Sequence, residues 1–395
     1  MFIPRQLNEA LSRLRTKFPI LAVTGPRQSG KTTLLRHIFS DYQYVTLENP
    51  DIRERALTDP KGFLNTWSNK VIFDEIQQAP QLFSYLQSKV DEDRQMGQFI
   101  LSGSQNFQLL QSITQSLAGR VALFKLMPFS FKELEGPQLL AAHWHEAAFR
   151  GFYPALFDRN IEPPDFYVNY IETYLERDVR QLLNVRDLRQ FRLFLKLCAG
   201  YIGQMLNLQK IATEVGISQP TAQSWLSVLE TSYIVFTLPP YYRNFNKRLV
   251  KTPRLYFYDT GLACYLLEMT RPSDLVTYYQ RGSMFENLLV AELCKQQLHN
   301  YQKADFYFWR DNNDLEIDLL FEEGATLRVA EIKSAETINT SFFANLQKFS
   351  IQNPALSLEP FLLYGGSEQM EHLNTRVLGW QTVGRFLGQE SLNMN

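Results

Sequence analysis

The chain has 395 residues, 45% of them hydrophobic, and a formal net charge of −1 at pH 7. This length suggests two or three domains of ~150 residues each, and the apolar share is ordinary for folded domains with sizeable cores. A near-neutral charge excludes a protein that draws nucleic acid by its overall field, so any such binding must come from a local patch. Cys198, Cys264 and Cys294 are far apart and odd in number. They form no disulfide framework or zinc spacing and fit a reducing compartment. The N-terminal MFIPRQLNEALSRLR has no signal-peptide core, and no apolar run approaches membrane-spanning length. The expectation is a cytoplasmic protein with no membrane partner.

In chain order, Leu7 to Leu14 has helical apolar spacing. Ile20 to Val23 reads as a buried parallel strand. Gly25 to Thr32 (GPRQSGKT) fits G-x-x-x-x-G-K-[ST], and an apolar-periodic helix follows from Thr33 to Ile38. Strand, glycine loop and helix in that order are the context of a phosphate-binding loop. Its glycines allow backbone conformations that a side chain would obstruct, so its N–H groups can face phosphate oxygens at the helix N-terminus. Gly25, Pro26, Arg27, Gln28, Ser29, Gly30, Lys31, Thr32 and Thr33 are therefore the candidate phosphate-binding stretch. Lys31 would reach the β- and γ-phosphates and Thr32 would meet Mg²⁺.

Tyr42 to Leu47 reads as a second strand, and Asp59-Pro60 opens a helix through Trp67. Val71 to Glu75 (VIFDE) has the form of a Walker B strand. Asp74 would hold Mg²⁺ through hard oxygen ligands, and Glu75 would orient the attacking water. Gln98 to Ser102 is another strand, followed by Gly103, Ser104, Gln105 and Asn106. Ser104 is the choice for a sensor of the γ-phosphate or the water, with a helix cap as the alternative. Arg120 precedes a fifth strand; it is either a finger for a neighbouring subunit's nucleotide or a salt-bridged surface residue.

Gln138 to Arg150 reads as helical, with His143 and His145 as exposed or capping residues rather than metal ligands. Gly151 to Leu156 reads as a turn and Phe166 to Leu182 as an amphipathic helix, whose Arg177, Asp178 and Arg180 either reach the nucleotide or pair with one another. Leu208 to Val215, a turn at Gly216 and a helix from Ser218 to Glu230 outline a helix-turn-helix. Ile234 to Leu238 and Arg254 to Tyr258 would be wing strands, and Tyr241 to Arg254 carries five basic residues and no acidic ones. That basic wing suits DNA contact through phosphates; a protein-docking module is the alternative.

Arg281 to Leu293 is a helix presenting Glu286, Leu315 to Phe321 a strand carrying Asp318, and Leu327 to Lys333 a strand carrying Glu331 and Lys333. A helical Glu, an Asp on one strand and E-x-K on the next outline a PD-(D/E)xK nuclease core. Residues two apart on a strand face one side. Asp318 and Glu331 would then hold a second Mg²⁺, with Glu286 nearby and Lys333 stabilising charge at the attacked phosphate.

Together GPRQSGKTTL, VIFDEIQ, LSGS, SLAGR, TYLERDV, YFWRDNNDLEIDLL and VAEIKS resemble a family of bacterial and archaeal AAA-type P-loop ATPases. The C-terminal part of that family is a domain of unknown function resembling restriction-endonuclease folds. The resemblance runs from about Arg5 to the strand near Phe361. It implies ATP or ADP at Gly25 to Thr33, Mg²⁺ and hydrolysis at Asp74 and Glu75, and nuclease-like positions at Glu286, Asp318, Glu331 and Lys333. The helical lid and sensor arginine of ordinary AAA proteins are not evident, which leaves hexamer formation open.

The expected fold class is α/β: a P-loop ATPase domain over 1–135, a helical linker or lid over 136–200, a winged-helix-like domain over 201–265 and a small nuclease-like α/β domain over 266–395. The expected function is Mg²⁺-dependent ATP hydrolysis coupled to the C-terminal half and acting on DNA. The alternatives are an ATP-regulated DNA nuclease, or a non-enzymatic nucleotide switch that docks a protein partner.

Overall fold

The computed structural model describes residues 2–103, 113, 116–175, 188–241, 252–313 and 315–388. They divide into two compact units: one of residues 1–129 with the segments 231–233 and 297–302, the other of the remainder.

The first unit is built on five parallel strands, β1 (Ile20–Thr24), β2 (Gln43–Thr46), β3 (Val71–Asp74), β4 (Phe99–Ser102) and β5 (Val121–Lys125), in the order β2-β3-β4-β1-β5. The expected strands are all present. They read as continuous apolar runs because both faces are covered. Ile20 and Ala22 join the core on one face, while Leu21 and Val23 join the core on the other. Helices α1 (Leu7–Leu14) and α2 (Lys31–Ile38) supply residues to the second core. Helices α3 (Pro50–Thr58), α4 (Pro60–Thr66) and α5 (Leu82–Asp93) supply the first. Helix α3 was not anticipated, although its start carries local signals: Asn49 accepts from the Asp51 N–H and Pro50 opens the first turn. All strands run the same way, so Thr24, Asp74 and Ser102 end on one edge, with Asp74 opposite Ser102 and Val23 opposite Ser102.

The second unit contains a six-stranded mixed sheet in the order β12-β13-β11-β10-β9-β8 and a separate antiparallel pair, β6 (Val235–Leu238) and β7 (Arg254–Phe257). The six strands are β8 (Phe306–Arg310), β9 (Glu316–Glu323), β10 (Thr326–Lys333), β11 (Ser357–Tyr364), β12 (Met370–His372) and β13 (Thr375–Gly379). The stretch after Gly365, weakly patterned in sequence, supplies β12, β13 and a closing 3₁₀ segment, Trp380–Leu387.

Several boundaries differ from the periodicity. The helix expected over Gln138–Arg150 covers only Trp144–Arg150, because Gln138 sits at φ 58 and His143 takes the N-cap position. The expected turn at Gly151–Leu156 contains a helix, Pro154–Asp158, opened by proline. The helix expected from Phe166 begins at Pro163 and passes into a π-helix over Ile171–Leu175. Helices Leu208–Val215 and Gln219–Thr231 meet at Gly216, whose φ of 77 suits glycine. Among the described residues no helix is long and apolar enough to cross a membrane.

Phe73 stands at the centre of β3 with Phe63 and Phe99 at ring-centroid distances of 5.7 and 5.8 Å. Phe73→Ala is expected to cost about 3–5 kcal/mol through the cavity it leaves, read as a lower midpoint in chemical denaturation.

Candidate functional site

At the carboxyl edge of the first sheet, β1 ends at Thr24 and the chain turns through 25–30 into α2. Gly25 has φ 144, and a Cβ there would stand 2.1 Å from the Leu126 carbonyl oxygen. Gly30 has φ 91. Both glycines are thus required by the loop's path. Lys31 is buried, and its Nζ donates to the Gly25 and Pro26 carbonyls at 2.9 and 2.8 Å. Arg27 and Gln28 are half-buried, Ser29 is buried and Thr33 is exposed in the first turn of α2. A further residue secures the loop. Arg5 Nη1 donates to the Ser29 carbonyl at 2.8 Å and Nη2 to the Met127 carbonyl at 2.6 Å, with the guanidinium over the Phe129 ring.

Asp74 ends β3 within reach of the same loop. Its Oδ2 accepts from Thr32 Oγ1 at 2.9 Å and from the Tyr44 hydroxyl at 2.5 Å, while its Oδ1 accepts from Ser102 Oγ. Burial, then the hydrogen bond to Asp74, pushes the Tyr44 hydroxyl well above the ordinary tyrosine range, so it stays a neutral donor. A carboxylate beside a hydroxyl is a hard-oxygen donor set that fits Mg²⁺. Glu75 follows in the left-handed region at φ 54, and its carboxylate accepts from Gln77 Nε2. Such a backbone position in a non-glycine residue costs of order 1 kcal/mol and marks sites where the surroundings hold a side chain in a set direction.

The polar group beside Asp74 is Ser102, at the end of β4 opposite it. Ser104, the expected sensor, lies outside the described residues, as do Arg177, Asp178 and Arg180. Arg120 stands at the far edge of the sheet: its carbonyl accepts from the N–H of Ile20, the first residue of β1, whereas the loop follows the last. Its Nε and Nη2 contact the Asp91 carboxylate at 2.6 and 2.7 Å. It is thus salt-bridged to Asp91 and takes no part in its own chain's phosphate loop.

The second unit gathers the nuclease-like residues. Lys333 Nζ lies 2.5 Å from Glu331 Oε2 and 3.5 Å from Asp318 Oδ2. The Ile332 N–H donates to Asp318 Oδ2 at 2.8 Å, and Asn345 Nδ2 to Glu331 Oε1 at 3.3 Å. Glu286, on the helix Arg281–His299, accepts from Arg254 Nη1 at 3.1 Å and from the Tyr256 hydroxyl. Burial pushes the Glu286 carboxyl up to about 7 against the pull of Arg254, with Asp318 adding to the rise. Burial and then Asp318 push Glu331 up to about 7, opposed by Lys333. Burial works against the Lys333 charge, but Asp318 and Glu331 outweigh it and hold the ammonium above the ordinary lysine range.

Among the described residues no three His, Cys, Asp or Glu side chains gather as a metal-binding group. Of the residues expected at a second Mg²⁺, Asp318 and Glu331 are engaged by Lys333 and Asp318 also by the Ile332 N–H, and Glu286 by Arg254 and Tyr256. One expectation is corrected here. Arg254, counted in the basic wing, is buried and turned inward; residues 242–251 of that wing lie outside the described residues.

A glycine loop between β1 and α2, with an acidic β3 terminus beside it on a parallel sheet, defines a P-loop protein. Residues 17–135 match the family model of an AAA domain, while 141–273 and 281–382 each match a domain of unknown function, DUF8612 and DUF4143. The chain is 31% identical over 348 residues to "Uncharacterized protein Rv2008c" of Mycobacterium tuberculosis and, equally, to "Uncharacterized protein Mb2031c" of Mycobacterium bovis, covering 86% of this chain and 76% of each relative. The chain belongs to the family of these mycobacterial proteins and is an AAA-domain protein. Solved structures similar to it include a Walker-type ATPase of Pyrococcus abyssi (14% identity, 67% of this chain and 96% of that one, TM-score 0.40) and a RuvB of Thermotoga maritima (17% identity, 59% and 88%, TM-score 0.30).

Arg5 fixes two carbonyls that shape the loop. Arg5→Gln is expected to weaken binding of a fluorescent ATP analogue about tenfold, in keeping with the value of charge-assisted hydrogen bonds, with far-ultraviolet circular dichroism unchanged.

Proposed function

We propose that the protein binds ATP at the loop 25–33 and hydrolyses it with Mg²⁺, and that the nucleotide state governs its C-terminal half. The observation that carries this reading is the 2.9 Å contact between Thr32 and Asp74 beside a lysine held over the loop. Thr32 and Asp74 would hold Mg²⁺, which when bound neutralises charge on the β- and γ-phosphates. Lys31 exchanges its carbonyl partners for phosphate oxygens. Glu75 orients and polarises the water that attacks the γ-phosphorus, and the bond to the β-phosphate oxygen breaks. Ser102 and Tyr44 hold the Asp74 carboxylate in place. DNA is the proposed object of the cycle, supported by the two helices meeting at Gly216 and the adjoining β6–β7 pair. Arg120, where it serves as a finger, acts on a neighbouring copy.

An ATP-regulated DNA nuclease is the second reading, favoured by the convergence of Asp318, Glu331 and Lys333.

Lys31→Ala should abolish nucleotide binding in calorimetry; unchanged affinity would remove the assignment. Glu75→Gln should retain binding and lose about 10²-fold or more in turnover, by analogy with the loss of other positioned polar groups. Hydrolysis stimulated by duplex DNA supports action on DNA. Tight binding with negligible turnover would instead favour a switch acting on a protein partner.

A further inference from the structure

The C-terminal carboxylates already have a cation of their own, and it comes from a different part of the chain. Arg254 is the first residue of β7. Its side chain is only 6% exposed. One guanidinium nitrogen, Nη1, lies 3.1 Å from Glu286 Oε1, and the other, Nη2, contacts Glu316. The Tyr256 hydroxyl, two residues along the same strand, shares Glu286 Oε1. The group also stacks 4.5 Å from the centre of the Phe308 ring, and Asp318 stands two residues along β9 from Glu316, on the same face of the strand.

The backbone gives it little room to leave. β7 pairs with β6 on one side, and on the other the Gly203 and Leu206 N–H groups donate to the Leu255 and Pro253 carbonyls. A guanidinium is planar, stays charged at all ordinary pH and bridges carboxylates by paired N–H donors. A divalent ion needs the same oxygens, stripped of other donors, and would stand close to a fixed positive charge.

We propose that Arg254 is the resident cation of the Glu286–Asp318 cluster and that it excludes a divalent metal from it. The proposal rests on the nuclease-like reading of that cluster and adds to it this exclusion. With Arg254 in place the site is closed to metal.

The test is Mn²⁺ binding by the nucleotide-free full-length chain, read by electron paramagnetic resonance. Wild type is expected to show no bound Mn²⁺ that Asp318→Asn removes. Arg254→Gln is expected to gain a bound Mn²⁺, about tenfold tighter than any wild-type binding, with the gain lost again when Asp318→Asn is added. Arg254→Lys, which keeps the charge, is expected to stay closed. Mn²⁺ held by wild type through Asp318, or no gain in Arg254→Gln, overturns the proposal. Should Arg254→Gln not fold, the neutral Arg254→Met takes its place with the same expected gain, and Asp318-dependent Mn²⁺ in wild type or Arg254→Lys refutes the exclusion by itself. Plasmid cleavage separates the two ideas. Mn²⁺ gained by Arg254→Gln without cleavage ends the nuclease reading and leaves the exclusion standing.

Discussion

The Asp74 carboxylate is where the first unit's architecture converges. Three separate segments reach it: the loop through Thr32, β2 through Tyr44 and β4 through Ser102. Each is there because the five strands run parallel and finish on one edge, which is where open α/β sheets place their ligands. The register leaves no slack. Asp74 is opposite Ser102, and Ser102 is opposite Val23, one residue before Thr24. A slip of one residue in β3 would turn Asp74 into the core and Phe73 out of it. The same aromatic packing that stabilises the sheet therefore aims the acid.

How much of this was legible depends on whether the signal is local. The loop 25–32 and the acidic strand end at 74–75 are contiguous motifs, and the structure has them on the strand, loop and helix that their context demands. Arg5, Tyr44 and Ser102 are not parts of any motif. Arg5 is 24 residues from Ser29 and 122 from Met127, so only the closed fold makes it part of the loop. For Ser102 the trace was available: the strand QFILS ends in a side chain that parallel pairing sets beside Asp74.

The basic stretch before β7 shows the opposite failure. Composition counted Arg254 with its neighbours as a charge facing outward. Yet residues alternate sides along a strand, and Arg254 begins β7 while its neighbours precede it. Its side chain enters a region rich in carboxylates, where a buried charge without a partner would be prohibitive. Glu286, Glu316 and Asp318 come from a helix and a strand more than thirty residues further on. Neither half of that ion network is recognisable without the other.

The two acidic sites differ in what balances them, and this difference governs what each can bind. Around Asp74 stand hydroxyls, from Thr32, Tyr44 and Ser102. Hydroxyls orient a carboxylate without cancelling its charge, so an incoming cation still gains the full attraction. Around Glu286, Asp318 and Glu331 the partners include a guanidinium and an ammonium. There a metal must displace charges that are already paired, and breaking the buried Arg254–Glu286 pair leaves one member uncompensated. Under the proposed function and the proposed exclusion, similar carboxylate chemistry yields a receptive site in one unit and a self-neutralised one in the other. The deciding feature is the charge of the neighbours rather than the identity of the acids.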